Sequence, residues 1–152
     1  MKIAIACDHG ALGLKAAVKN YLLENGHEVL DFGTNSLDSC DYPDYVAPAA
    51  KAVAAGECER GIVLCSTGIG VSIAANKVKG VRASVCGDTF SAEMTRRHNN
   101  ANILCMGARV IGEEIMLCVL DAFMKAPFDG ITEEGARHLK RVNKILAMEE
   151  EF

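Results

Sequence analysis

The sequence contains no tryptophan, and aromatic residues make up only 5% of its 152 positions. Half of the residues are nevertheless hydrophobic, so the chain has enough apolar surface to bury a core at this length. A core rich in small side chains is typical of helices that pack closely on a sheet, and this composition excludes a disordered or fibrous chain. No linker-like segment divides the sequence. We therefore expect one globular domain over residues 1–152.

The sequence also lacks an excess of positive charge and a long apolar run. Its formal net charge is -4, which does not support a general attraction to nucleic acid or to an anionic membrane surface. The apolar stretch at the N-terminus is too short for a secretion signal, and no run approaches the length of a membrane span. We expect a soluble, cytoplasmic protein in which any anionic ligand meets locally concentrated positive charge.

No pair of cysteines has the C-x-x-C spacing, and the cysteine count of seven is odd. Both features argue against a disulfide framework and against a zinc site, so we expect reduced thiols and no bound metal. Cys86, Cys105 and Cys118 lie in apolar runs, where a thiol behaves as a small buried hydrophobe. Only Cys65 has neighbours that suggest chemistry.

Short strand-like runs alternate with helical patterns along the whole chain, which predicts βαβ units and a parallel sheet. The strands are expected at KIAIA, HEVLDF, GIVLC, VRASVC and NILCMG. The helices are expected from Leu14 to Asn25, from Pro43 to Val53, over 70–77 and 89–97, around Ile115–Phe123 and around Leu139–Leu146. Ligands of such sheets bind at the carboxyl ends of the strands, so the residues there are the first candidates for a site.

Two strand ends and one later loop carry reactive residue types. The first strand leads into Cys7-Asp8-His9-Gly10, where Asp8 is either a helix cap alone or a cap with a catalytic role. The third strand ends in Cys65-Ser66-Thr67-Gly68-Ile69-Gly70, a turn whose backbone N–H groups would converge on an anion. Such donors favour a thiolate at Cys65, which makes it a candidate base or nucleophile. The loop contains Arg96-Arg97-His98-Asn99-Asn100.

Three other classes of site fit this turn poorly. A cysteine phosphatase would need Arg six positions after the nucleophile, where the chain has Val71. A dinucleotide fingerprint matches at Gly68 and Gly70 but has Ile73 in place of the third small residue. A P-loop would need Gly-Lys-Ser/Thr at its end, and the segment has none.

The segments CDHG, DYPDY, GIVLCSTGIGVSIAANK, RRHNNAN and ARHLKRV, in this order, resemble the ribose-5-phosphate isomerase B and galactose-6-phosphate isomerase family over essentially the whole chain. The resemblance implies a three-layer αβα sandwich of Rossmann-like type with a five-stranded parallel sheet. It also implies an aldose–ketose isomerase that interconverts ribose 5-phosphate and ribulose 5-phosphate through a cis-enediolate, without a cofactor. The implied assembly is a homodimer, or a tetramer, with shared active sites. An isomerase of allose or galactose 6-phosphate and a non-catalytic sugar-phosphate sensor stay open as alternatives.

The resemblance also assigns roles to residues. Cys65 is the expected base, Thr67 relays a proton between the substrate oxygens, Asp8 tunes that relay, and His98 opens the furanose ring. The residues expected to contact substrate are Asp8, His9, Tyr42, Ser66, Thr67, Gly68, Ile69, Gly70, Asn99, Arg109, Arg137 and Arg141. Arg137 and Arg141 are one helical turn apart and would bind the phosphate, although a solvated helix surface also explains them.

Two positions depart from the family pattern. Ser66 stands where glycine is common, and Glu134-Gly135-Ala136 replaces a Gly-Gly pair before Arg137. We expect both changes to affect which sugar fits rather than the class of reaction. His98 favours a pentose phosphate, because the galactose-6-phosphate members tend to lack this histidine.

Overall fold

All five predicted strands are present in the computed structural model, which describes residues 1–150, and they form one parallel sheet in the order β2-β1-β3-β5-β4. The strands are β1 Lys2–Cys7, β2 Glu28–Asp31, β3 Arg60–Cys65, β4 Ala83–Val85 and β5 Ile103–Gly107. The helices are α1 Leu12–Glu24, α2 Tyr42–Ala54, α3 Ile69–Ala75, α4 Thr89–Asn99, α5 Glu113–Lys125 and α6 Ala136–Met148. None of the helices within residues 1–150 has both the length and the hydropathy needed to span a bilayer.

The strand residues alternate between two packed faces, which confirms the three-layer prediction. Ile3 and Ile5 point into a core shared with α1 and α5, while Ala4 and Ala6 point into a second core shared with α2 and α3. Both faces of the sheet are therefore buried, as is usual for a parallel sheet. The β1 side chains on the face toward α2 and α3 are the small ones, Ala4 and Ala6.

Two helices expose some of the apolar residues that mark them in the sequence. In α5 the buried side chains include Met116 and Val119, whereas Ile115 is 53% exposed. In α6 only His138 and Val142 are buried, and Leu139, the first apolar residue of the predicted helix, is 42% exposed. The predicted strand VRASVC is ordered as a strand only over Ala83–Val85, the middle of the segment.

The sheet order places a crevice between the ends of β1 and β3. The chain leaves β1 for β2 on one side and returns to β3 on the other side, so the strand order reverses between β1 and β3. At such a reversal the following loops diverge and leave room for a ligand. Cys7 ends β1 and Cys65 ends β3, so the two most reactive sequence motifs flank this crevice.

A buried lysine holds the segment that follows β2 against the end of β1. Lys15, on α1, is 5% exposed, and its Nζ bonds to Asp31 Oδ1 at 3.1 Å, to the Thr34 carbonyl at 2.9 Å and to Asn35 Oδ1 at 2.9 Å. The Thr34 N–H in turn donates to the Cys7 carbonyl at 3.2 Å. Burying an ammonium group is tolerated because three oxygen acceptors replace its water.

Lys15→Met should therefore destabilise the protein, because it leaves Asp31 half-buried without its closest cation. We expect a loss of about 3 kcal/mol in the free energy of unfolding, measured by urea denaturation. Lys19→Met is the matched control, since the Lys19 side chain is only partly buried and bonds only Asp31, at 3.4 Å. The control should cost less than about 1 kcal/mol. Equal losses in the two variants would contradict the role given to Lys15.

Candidate active site

Cys65 is the last residue of β3 and lies at the start of the glycine-rich turn. Its side chain is 5% exposed, and its Sγ accepts a hydrogen bond from the Gly68 N–H at 3.1 Å. Gly68 has a φ of +80°, a left-handed conformation that glycine adopts without strain, and this conformation lets the chain turn back toward the sulfur. The turn therefore supplies a backbone donor directly to the thiol.

The end of β5 holds this turn by its carbonyl groups. The Ala108 N–H donates to the Cys65 carbonyl at 2.8 Å, and the Arg109 N–H donates to the Ser66 carbonyl at 3.0 Å. Because a trans peptide directs its N–H opposite to its carbonyl, the N–H groups of Ser66 and Thr67 point away from β5, toward the β1 side. Backbone donors thus face the crevice between β1 and β3.

Cys7, Cys86 and Cys105 are in environments that keep their thiols protonated. Burial raises the pKa of Cys7 to about 11 and that of Cys86 to about 11, and it raises the pKa of Cys105 well above its ordinary value. These thiols behave as the buried hydrophobes that the sequence predicts for Cys86 and Cys105. Cys118, by contrast, is exposed on α5 and does not share their predicted burial.

Asp8 and His9 follow β1 on the opposite side of the crevice. Asp8 Oδ1 accepts from the Gly10 N–H at 2.9 Å, which confirms that Asp8 caps the short 3-10 turn His9–Ala11. His9 Nδ1 accepts from the Cys40 N–H at 3.2 Å, so a neutral His9 ring carries its proton on Nε2 and can donate from there. Ser66 reaches toward the same loop, because a Cβ built on Gly10 would lie 2.5 Å from Ser66 Oγ.

Tyr42 and Arg109 border the same crevice from two further elements. Tyr42 opens α2, and its ring packs so closely on Gly70 that a Cβ there would lie 2.8 Å from Tyr42 Cζ. Arg109 follows β5 with an exposed side chain, beside the Ser66 carbonyl to which its N–H is bonded. We call the ten predicted residues that meet here the carboxyl-edge cluster: Asp8, His9, Tyr42, Cys65, Ser66, Thr67, Gly68, Ile69, Gly70 and Arg109.

The remaining four predicted residues form an amino-edge cluster at the opposite edge of the sheet: His98, Asn99, Arg137 and Arg141. His98 and Asn99 lie in the last turn of α4, just before β5 begins. The chain there is held by Arg82, whose guanidinium donates to the Asn100 carbonyl at 3.0 and 2.9 Å. Arg137 and Arg141 are exposed on α6, which packs on α4.

The two clusters cannot meet within one chain. Cys65 pairs with Gly107 at the carboxyl end of β5, whereas His98 precedes Ile103 at its amino end. The strand between them spans five residues, or roughly 13 Å of sheet. The structure therefore brings together ten of the predicted residues and separates four of them from the thiol.

Sequence reasoning missed one residue beside the amino-edge cluster. His138 is 4% exposed, and its ring stacks on that of His98 with centroids 4.2 Å apart and planes at 1°. The sequence did contain a sign that His138 is buried. It lies one helical turn before Val142 and therefore on the buried side of α6. Among residues 1–150, no three His, Cys, Asp or Glu side chains converge as a metal site would require.

The fold and the geometry define a class: an open parallel α/β protein with a thiol held in a backbone-donor turn at the switch point of its sheet. The sequence profile of the ribose/galactose isomerase family matches residues 3–145. The chain belongs to this family.

Individual relatives and solved structures match along nearly the full length. Ribose-5-phosphate isomerase B of Escherichia coli is 46% identical over 149 residues, covering 98% of this chain and 97% of that protein. The structure of ribose-5-phosphate isomerase B from Clostridium thermocellum superposes with a TM-score of 0.94 at 49% identity, covering 99% of each chain. The Mycoplasma genitalium enzyme with bound ribulose 5-phosphate gives a TM-score of 0.92 at 38% identity, covering 99% of this chain and 97% of that one.

Gly107→Ala should disturb the turn that carries Cys65. A Cβ at Gly107 would lie 2.7 Å from the carbonyl carbon and oxygen of Thr67, so the turn must move. We expect the free energy of unfolding to fall by about 1–3 kcal/mol. Gly13→Ala is the control, because a Cβ there meets nothing within 4 Å and replaces glycine in α1. Gly13→Ala should stabilise the protein by about 0.5 kcal/mol in the same denaturation experiment. Unchanged stability of Gly107→Ala would contradict the close packing of Gly107 on the turn.

Proposed function

We propose that this protein is a ribose-5-phosphate isomerase, an enzyme that interconverts ribose 5-phosphate and ribulose 5-phosphate with the Cys65 thiolate as base. The observation that carries the proposal is the Cys65 thiol, which accepts the Gly68 N–H at 3.1 Å at the switch point of a sheet in a chain of the ribose/galactose isomerase family. A binding protein would need the anion-binding turn but would not need the thiol.

In the proposed reaction the thiolate removes the proton from C2 of the open-chain aldose. The electrons move to the carbonyl oxygen on C1, which forms a cis-enediolate, and the thiol then returns the proton to C1 to give the ketose. The N–H groups of Ser66 and Thr67 point into the crevice and would stabilise the negative oxygen, as an oxyanion hole does. Thr67 Oγ1 would pass the proton between O1 and O2, and Asp8 would tune this transfer.

The substrate phosphate needs cations and donors that the carboxyl-edge cluster supplies only in part. His9 can donate from Nε2, and Arg109 contributes one positive charge. A sugar phosphate carries close to two negative charges at neutral pH, so a second set of cations is needed. Arg137 and Arg141 would complete the phosphate site, but in the same chain they lie at the opposite edge of the sheet.

A homodimer with shared sites resolves this separation. In the proposed dimer, the amino-edge cluster of one chain lies against the carboxyl-edge cluster of the other, so that His98 of the partner subunit opens the sugar ring and Asn99 of the partner subunit contacts a hydroxyl. The exposed apolar side chains of α6 support such an interface, since Leu139 and Ile145 are each 42% exposed. Localisation in the cytoplasm belongs to the same proposal, supported by seven free cysteines.

A panel of substrates tests the proposed activity directly. Ribose, allose and galactose phosphates are assayed with protein dialysed against EDTA, because backbone donors are proposed to supply the electrophilic stabilisation. We expect at least a tenfold preference, in kcat/KM, for ribose 5-phosphate. A preference for a hexose phosphate would show instead that the protein is an isomerase of allose or galactose 6-phosphate. Activity restored only by Mn²⁺, Zn²⁺ or Co²⁺ would contradict the metal-free mechanism.

Cys65→Ala should lower kcat by at least about a hundredfold, because the base is lost while the backbone donors remain. Phosphate binding, measured by calorimetry with the product, should be nearly unchanged, and circular dichroism checks the fold. Cys118→Ala is the matched control, since Cys118 is an exposed thiol on α5. Retention of more than a few per cent of the rate by Cys65→Ala would refute the assignment of the base.

Mixing two variants that are each deficient in the conversion of ribose 5-phosphate tests the shared sites, with ribose 5-phosphate as the assayed substrate. A dimer that pairs a Cys65→Ala chain with a His98→Asn chain has one site with both substitutions and one site with neither. Random exchange of subunits should restore about a quarter of the wild-type activity, because half of the dimers are mixed. Exchange is followed with differently labelled chains. No recovery after complete exchange would show that each site is built from one chain.

A further inference from the structure

The ring of His98 lies against a second imidazole that the proposed mechanism does not use. His98 lies in the last turn of α4 and is partly exposed, whereas His138 lies on the buried side of α6 and is 4% exposed. The ring centroids are 4.2 Å apart and the planes differ by 1°, so one face of His98 is covered by His138. The ring plane of His98 is therefore set by a residue on another helix.

The backbone around His138 is tied down by the loop that precedes α6. The His138 N–H donates to the Gly135 carbonyl at 2.8 Å, and the Gly135 N–H donates to Thr132 Oγ1 at 3.1 Å. A Cβ on Gly135 would collide with the Asp129 carbonyl, so this loop is closely packed. Asp129 also pairs with Arg97 of α4 through Nε at 3.0 and 3.1 Å. His138 is consequently fixed relative to the helix that carries His98.

Burial alone does not account for an imidazole at position 138. Within residues 1–150, the His138 Nδ1 atom is buried without a hydrogen-bond partner. An unsatisfied polar atom of this kind destabilises the folded state, and a leucine would avoid that cost. The flat ring and its position over His98 are the features that a leucine would not reproduce.

The charges around the pair favour a neutral His138 ring. Burial lowers the pKa of His138, and the neighbouring His98, Arg137 and Arg141 lower it further, while Asp129 opposes this shift. Two stacked imidazolium rings would repel each other, and a neutral His138 ring avoids this repulsion. The face of a neutral aromatic ring also stabilises a cation placed over it.

We propose that His138 is a positioning residue for His98, and that its stacked ring fixes the plane from which His98 donates a proton to the ring oxygen of the furanose. This inference rests on the proposed function, because His98 has a ring to open only if the protein acts on the cyclic aldose phosphate. His138 does not touch the substrate in this account. A small misplacement of an acid or base relative to its substrate is enough to slow proton transfer strongly.

The test compares His138→Leu, which removes the flat ring, with His138→Phe, which keeps it. Without enzymatic ring opening, ribose 5-phosphate turns over only as fast as the ring opens spontaneously, so its rate should level off as enzyme concentration rises. Ribulose 5-phosphate is already open, and its rate should keep rising. For His138→Leu and His98→Asn we expect the rate with ribose 5-phosphate to level off and the rate with ribulose 5-phosphate to keep rising. For wild type and His138→Phe we expect both rates to rise linearly with enzyme concentration.

Two additions separate positioning from a general structural role. His138→Gln exchanges the ring for a polar side chain. This variant is used in place of His138→Leu if His138→Leu does not fold. In a His98→Asn background, His138→Leu should cause no further change in the plateau, because both substitutions remove the same step.

The possible failures are distinguishable. Linear rates in both directions for the variants without a ring would overturn the inference while leaving the proposed function intact. An equal loss in both directions without a plateau would overturn it as well, since that result indicates a general structural defect. A wild-type protein that isomerises neither pentose phosphate would overturn the proposed function itself, and the inference with it.

Discussion

The site depends on the hydrogen bonds that hold the end of β3 between β1 and β5. The Asp8 N–H donates to the Leu64 carbonyl at 3.2 Å on one side, and the Ala108 N–H donates to the Cys65 carbonyl at 2.8 Å on the other. These bonds stop β3 at Cys65 and direct the following N–H groups toward the crevice. If the turn moved by an ångström, the thiol and its donors would no longer face the same point. The close contact of Gly107 with the Thr67 backbone leaves little freedom for such a movement.

The same sheet that assembles one half of the site keeps the other half away from it. A crossover helix returns the chain to the amino edge, so residues at the end of α4 lie a strand length from residues at the end of β3. Arg82 bonds the Asn100 carbonyl beside His98, and α6, which carries Arg137, packs on α4. In the proposed dimer the two clusters would come from different chains and serve one substrate, which links the proposed activity to the proposed oligomer.

Much of the fold could be predicted from local patterns in the sequence. The alternation in KIAIA places Ile3 and Ile5 on one face of the sheet. The glycines after Cys65 indicate a turn with backbone N–H donors. Both features can be predicted because they depend only on neighbouring residues along the chain. The order of the strands and the separation of His98 from Cys65 could not be read in this way, since they depend on which strands pair. The burial of Lys15 and His138 was also not predicted, because their partners are distant in the sequence. The family resemblance supplied the residue roles, and their chemical steps remain proposals.

The role of Cys65 as the base is tested most directly by following the transferred hydrogen. Ribose 5-phosphate is converted by wild-type protein in D₂O, and the deuterium content at C1 of the ribulose 5-phosphate is measured by NMR. A thiolate base forms an enediolate and holds the proton where it can exchange with solvent, so the account predicts that a measurable share of the product carries deuterium at C1. Complete retention of the original hydrogen, even after the reaction has reached equilibrium, would indicate a direct hydride shift and would contradict Cys65 as the base.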